Sequence, residues 1–541
     1  MESPICPLTD DPPLLHGVIA QLTAQLAELE QERAQQAQRI DQLLESIALL
    51  RRKRFGASAD RVPTGQLSLF DESELEALIG ELEAQLPLPT TPPMAPEPFA
   101  PQRRPVRRPL PRHLPRVTRV LDLPEAVKAA MGEDWTRIGD DTSEQLAIIP
   151  RQVYVIEDQR AKSVARDATV PGVEAGVRLA PRAAQIIPKS MAHHSLLAAI
   201  VTAKFVDGLP LDRQEQIFAR EGIDLSRQTM AGWLIQLEQP LKPLAQAMTA
   251  LLRQGPVIHV DETRVQVLRE PGREATQESF MWVFCGGPPQ QPVRWFEDAT
   301  SRAASVPHQV LFPADTEPPG QNPPSFYLQS DGDSASLVLA REPAVQGHAG
   351  CWAHVRRQFV EAAEGRNASA AQQMVALIGQ LDAVERDLRE ADPATRQAAR
   401  EARSRPLLDT IKDWLDAKVT QVLPKGLLGK AIGDALGQWS LLTTFLEDGR
   451  LEIDNNRAEN AIRPFVIGRK NWLFAGSPKG AKVSALLYSL VETAKANDLE
   501  PWAYLNHLFA HLPTAKTPEA INALLPHNLK MDDLKRDASS L

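Results

Sequence analysis

The chain has 541 residues, with 60 Lys and Arg against 69 Asp and Glu, a formal net charge of −9 and 43% hydrophobic content. These values fit a soluble globular chain of about three or four domains, and the acidic balance argues mildly against nucleic acid, although local patches decide. No apolar run reaches the ~18 residues of a membrane span, the acidic, Pro-broken MESPICPLTDD is no signal peptide, and Cys6, Cys285 and Cys351 are too scattered for a disulfide framework or a four-ligand zinc site, which together predict a cytoplasmic protein.

Residues 1–85 form the N-terminal region. Leu15, Leu22, Leu29, Leu43 and Leu50 share one heptad position, and Ile19, Leu26, Ile40 and Ile47 share its partner. That pattern predicts a parallel two-stranded coiled coil about 60 Å long, or else a helix packed within its own chain. Arg33 and Gln36 interrupt the seam, and Arg51–Arg54 close it with a basic cluster that is an ordinary partner of a helix C-terminus. A short helix is predicted from Asp71 to Leu86.

Residues 86–116 are a linker, with eleven prolines between Pro87 and Pro115. Arg103, Arg104, Arg107, Arg108, Arg112 and Arg116 make its second half a basic arm for a phosphate backbone, or a solubilising spacer. Residues 117–190 read as a small β-containing module with a strand in IIPRQVYVIE. Within 191–252 three helices are expected, in HSLLAAIVTAKFVDG, in LDRQEQIFAREG ended by Gly222, and in LSRQTMAGWLIQL capped by Ser226. This is the layout of a helix-turn-helix, shared by many three-helix packings. Its last helix would offer Arg227, Gln228 and Thr229 to base edges.

The remaining fold, 253–512, starts with a strand around Val257, Ile258 and Val260 that leads to Asp261. SFMWVFCGG and PVRWFEDATSR continue it as a meander, and FYLQSDGDSAS repeats strand, aspartate, turn at Asp331. A helical insertion spans about 353–450. It opens with CWAHVRRQF, whose His354, Arg356 and Arg357 could meet phosphates. Then comes LEIDNNRAENAIRPFVIGRKNW. Asp454 is the expected N-cap, Glu459 and Arg463 share a face, Pro464 should end or kink the helix, and Arg469 and Lys470 follow. Ser477 and Pro478 start a further helix with Val483, Leu486, Leu487, Leu490, Val491 and Ala494 on its core side. Residues 513–541 are a polar tail.

Asp261, Asp331 and Glu459 can converge as in an RNase H-like nuclease core, or remain surface turn acids. Two carboxylates about 4 Å apart repel by roughly 4 kcal/mol at a dielectric of 20, so the converged arrangement needs cations. Oxygen donors suit two Mg²⁺ or Mn²⁺ ions, which clamp both sides of a phosphoryl displacement. Glu262 should point to the opposite side of its strand.

HVDET, YLQSDG, CWAHVRRQF, IDNNRAENAIRP, GRKNWLFAGS and YSLVETAKAN, with RRKRFG, GQLSLFDE and LDRQEQIFAREGIDLSRQTMAGWL, resemble the bacterial transposases of the insertion sequence 66 family over nearly the whole chain. The resemblance implies an α+β / α/β multidomain fold with a coiled coil, a helix-turn-helix and an RNase H-like core carrying a helical insertion. It implies an acidic triad of Asp261, Asp331 and Glu459, binding Mg²⁺ or Mn²⁺, that cuts element ends and transfers strands into target DNA. Double-stranded DNA, a homodimer or higher multimer, and accessory proteins of the element are the implied partners, in the nucleoid-associated cytoplasm and not at a membrane. There are two departures. The family's four-cysteine module has no Cys in residues 117–190, so no zinc is expected there, and Asp333 in DGDSAS stands where aromatics are usual. They motivate the alternative of a catalytically inactive DNA-binding dimer.

Overall fold

The apolar runs at Val257, Phe280 and Val293 become strands of one sheet in the computed structural model, which describes residues 153–159, 162–164, 177–179, 183–313, 325–364 and 368–534. The heptads, the Arg51–Arg54 cluster and the Pro/Arg-rich linker lie outside these residues. In the unit 88–182, β1 (Lys162–Val164) pairs antiparallel with β2 (Val177–Leu179). The strand expected in IIPRQVYVIE is not formed over residues 153–159, where Val155 is 92% exposed and the apolar alternation is left unburied.

The second unit contains a six-stranded mixed sheet. β3 (Val257–Val267), β4 (Glu278–Gly286) and β5 (Val293–Ala299) form the antiparallel meander read from the sequence. β6 (Phe326–Gln329) then runs parallel to β3, and β7 (Val345–Ala349) parallel to β6, giving the order β5-β4-β3-β6-β7. β8 (Phe474–Ala475) pairs with the far end of β3. Gly287 permits the β4–β5 turn, because its φ is +87° and a Cβ there would lie 2.4 Å from the Gln291 carbonyl.

Ahead of the sheet lie α1 (His194–Phe205), α2 (Leu211–Arg220), α3 (Arg227–Gln236) and α4 (Glu238–Leu252). Gly222 takes a positive φ after α2, and the Ser226 hydroxyl accepts from the Thr229 N–H at the start of α3. Phe218, Met230, Trp233 and Leu234 enter the same hydrophobic core as the sheet.

The insertion is helical as expected: α7 (Trp352–Ala363), α8 (Ala368–Asp387), α9 (Pro393–Ala399), α10 (Arg405–Val419), α11 (Leu427–Gly437) and α12 (Trp439–Thr443), while α5 (Ser305–Leu311) and α6 (Ser334–Leu339) sit earlier as crossovers. It has its own core of Phe359, Met374, Ile378, Leu381, Ile411, Leu415 and Phe445. The fully buried Arg400 guanidinium joins its parts, donating to both Glu385 oxygens and to the carbonyls of Phe445, Asp448 and Leu451.

The following helix departs from the expectation in two ways: α13 (Asn456–Trp472) has Asn455, not Asp454, at its N-cap, and Pro464 lies inside it and does not end it. Asp454 instead holds the backbone and side-chain nitrogens of Asn456. Proline removes one helical hydrogen bond, and burial of Ala458, Ala461, Ile462, Phe465 and Gly468 outweighs that loss.

α14 (Pro478–Ala496) starts as predicted, with Ser477 accepting from the Gly480 N–H. Ser489 and Thr493, four apart, are buried against the open edge of β5. Ser489 accepts from the Phe296 N–H at 2.8 Å, and Thr493 bonds both the N–H and the carbonyl of Arg294 at 3.0 Å. The edge strand is thereby satisfied by a helix. α15 (Pro501–His511) and α16 (Pro518–Asn522) follow. Residues 513–534 are not a loose polar tail, because Leu524, Leu525 and Leu534 are buried in the main core.

Candidate active site

β3 and β6 are parallel neighbours with His259 opposite Gln329. Asp261 and Asp331 each lie two residues beyond that pair. The period of two sets Asp261 on the His259 face of β3, while Asp331 sits in the bend that follows β6, close enough to raise the Asp261 carboxyl. α13 covers this face, and its first turn carries Glu459.

Two buried amides lock the three elements together. Asn455 donates from Nδ2 to the Val260 carbonyl (2.9 Å) and accepts from His259 Nδ1 (3.2 Å). Burial pushes His259 down to about 4, so its ring is neutral at physiological pH and carries its proton on Nδ1. Gln329 donates to the carbonyls of Glu452 (2.7 Å) and Asp454 (2.8 Å), holding the loop before α13 against β6.

The Asp261 carboxyl is pushed up to about 8, first by burial, then by Glu262, Asp331 and Glu459, and its oxygen accepts from the Glu262 N–H at 2.9 Å. The neighbouring side chains that act most on it are all acids. Asp261, Asp331 and Glu459 are partly buried and near enough that the last two raise the first. Among the described residues, however, their oxygens do not all lie within 4.8 Å of one another, and Glu459 is turned to His354, Arg357 and Cys351. Oxygen donors of this kind would suit Mg²⁺ or Mn²⁺ if drawn together. Asp331 accepts from the Asp333 N–H at 3.2 Å.

Glu262 and Asp333 have another partner, Arg302, which pairs with Glu262 and lies 3.6 Å from Asp333. Asp333 also caps α6 by accepting from the N–H groups of Ala335 and Ser336. The extra acid therefore has a local structural task.

The basic residues separate. His354 Nδ1 and Arg357 Nη2 each lie 3.5 Å from a Glu459 oxygen. Arg357 thus pairs with Glu459 from another element, while Arg463 lies four residues along the same helix as Glu459. Arg356 is turned to Asp382 of α8, 3.8 Å away, because its position on α7 faces the insertion. Arg469 donates to Thr263 Oγ1 at 3.2 Å, two residues beyond Asp261, while Arg463 and Lys470 are exposed on α13. Arg227, Gln228 and Thr229 are exposed at the start of α3. Asn455, Gln329, Arg302 and Cys351 escaped the sequence reading. Two asparagines before a helix look like caps, and the C-x-x-H spacing at 351–354 was the one available signal for Cys351.

Among the described residues, no helix is long and apolar enough to cross a membrane. A family model described as "Transposase IS66 family" matches residues 189–483, "IS66 C-terminal element" matches 489–527, and "Transposase C of IS166 homeodomain" matches 42–119. The chain is similar to uncharacterized protein y4qI of Sinorhizobium fredii, 31% identical over 98% of this chain and 99% of the relative. It is also similar to y4jD of the same organism, 32% identical over 74% and 78%. A match across more than half of the chain, together with a relative aligned along almost its full length, means that this chain belongs to the transposase IS66 family.

Proposed function

We propose that this transposase cuts the ends of its element and joins them to target DNA through Asp261, Asp331 and Glu459. The observation that carries the reading is that Asp331, just past the end of β6, and Glu459, on the first turn of α13, both act on Asp261 of the neighbouring strand β3. The strand order, an antiparallel meander followed by two parallel strands, supports an RNase H-like core.

Two divalent cations bound by these oxygens would supply charge neutralisation and activation at the phosphoryl centre. The protein's own share is placement. Asn455 and Gln329 fix the strand ends against α13, and burial keeps the Asp261 carboxyl short of water. Arg357, His354 and Arg469 lie beside the acids, where they can hold the phosphates of the scissile strand. In this reading α2 and α3 are the helix-turn-helix, with Arg227, Gln228 and Thr229 at the DNA, and the N-terminal heptads pair copies of the chain so that two ends are held together.

Asp261→Asn or Glu459→Gln is expected to abolish Mg²⁺-dependent cleavage of end-containing DNA while end binding persists. Wild-type-like cleavage by either variant would sink the assignment. The inactive DNA-binding alternative predicts salt-sensitive end binding and no nicking of supercoiled plasmid at any Mg²⁺ or Mn²⁺ concentration.

A further inference from the structure

We propose that Cys351, His354 and Glu459 form a second metal site, one that takes a borderline transition-metal dication of the Zn²⁺ class. Their donor atoms lie within 4.8 Å of one another, and among the described residues this is the one such group of three. Cys351 Sγ is 4.0 Å from Glu459 Oε1, and His354 Nδ1 is 3.5 Å from the same oxygen. Ligands of a single tetrahedral ion stand roughly 3.3–3.6 Å apart, given metal–donor lengths of 2.0–2.3 Å, so only small side-chain movements are needed.

Three further features favour a ligand there. Cys351 is the N-cap of α7 and His354 lies on its first turn, so the backbone N–H groups at this helix end offset part of the burial that pushes the Cys351 thiol up to about 12. The Asn455 N–H already donates to Sγ at 3.2 Å, the kind of backbone bond that steadies a coordinating sulfur. His354 Nδ1 is shielded from solvent and makes no hydrogen bond. Arg357 engages the other carboxylate oxygen, Oε2, and so leaves Oε1 turned toward the sulfur and the imidazole.

A sulfur, nitrogen and oxygen donor set selects Zn²⁺ or Co²⁺ over Mg²⁺, which prefers oxygen alone. Binding releases the Cys351 thiol proton to solvent, and three protein ligands leave a fourth position for water. An ion held here claims Glu459, so it competes with the hard cations for that carboxylate. This consequence for cutting rests on the function proposed above, whereas the binding itself does not.

The test is a Co²⁺ titration of the full-length chain without DNA, read as a thiolate-to-Co²⁺ charge-transfer band in the near ultraviolet, followed by displacement with Zn²⁺. One saturable site is expected. The band should be lost in Cys351→Ser and lost or strongly weakened in His354→Ala, and kept in Cys6→Ser and Cys285→Ser. His354 is only half-buried, so its variant carries the test if Cys351→Ser does not fold. No such band in the wild type, or a band unchanged by either ligand variant, overturns the proposal. Because the readout is spectral, it is independent of whether any DNA is cut.

Discussion

Asn455 uses three groups at once: its side-chain oxygen meets His259, its side-chain nitrogen meets Val260, and its backbone N–H meets Cys351. Asn455→Ala leaves a buried imidazole N–H and a buried carbonyl without partners. A loss of about 2–4 kcal/mol in unfolding free energy is expected. Glu459 is also freed to shift relative to Asp261, and a displacement near 1 Å costs about a hundredfold in rate. Cleavage should therefore fall about that far in protein that still folds and binds ends. Near-normal cleavage would show that α13 is positioned by its apolar face alone.

At the scale of elements, the edge of β5 is closed by hydroxyls on α14, not by another strand. Ser489→Ala combined with Thr493→Val keeps the helix volume but strands the Phe296 N–H, the Arg294 N–H and the Arg294 carbonyl. The double variant is expected to lose about 3–5 kcal/mol in urea unfolding, more than a surface pair would. β5 also carries Asp298, whose carboxyl is pushed up to about 7 by burial and then by Glu297. Its folded-state value lies above the ordinary value near 4, so the folded state holds the proton more tightly. That contribution is fully present below about pH 4 and is lost as pH rises through about 7. Asp298→Asn should be neutral near pH 4 and stabilising by roughly 1–2 kcal/mol at pH 8, allowing for the partial exposure of the group. Unfolding midpoints at the two pH values check the sign.

On the scale of the whole molecule, the described residues of the main body form two hydrophobic cores. One joins the sheet to α1–α4, α13–α15 and the C-terminal segment, and the other lies within the insertion. Deleting residues 515–541 removes Leu524, Leu525 and Leu534 from the first core and the Leu524 carbonyl from the Tyr504 hydroxyl. A loss of about 5 kcal/mol is expected, read as a lower Tm and exposed apolar surface, where a loose tail would leave both unchanged.

Local pattern was enough to give several things in the sequence: the strands around Val257, Phe280, Val293 and Phe326, the caps at Ser226 and Ser477, the helical insertion, and the acids Asp261, Asp331 and Glu459 as candidates. Periodicity and capping depend on near neighbours, so a single chain displays them. Other outcomes needed the folded molecule. Pro464 stays inside a helix because the core beneath it outweighs one lost hydrogen bond, and the polar C-terminal stretch is held by three leucines. Asn455 serves β3 more than its own helix, Asp333 turns to Arg302 and a helix end, and Cys351 meets Glu459 across 108 residues. Those partners are distant in sequence, and only the parallel register of β3 with β6 under α13 brings them within bonding reach.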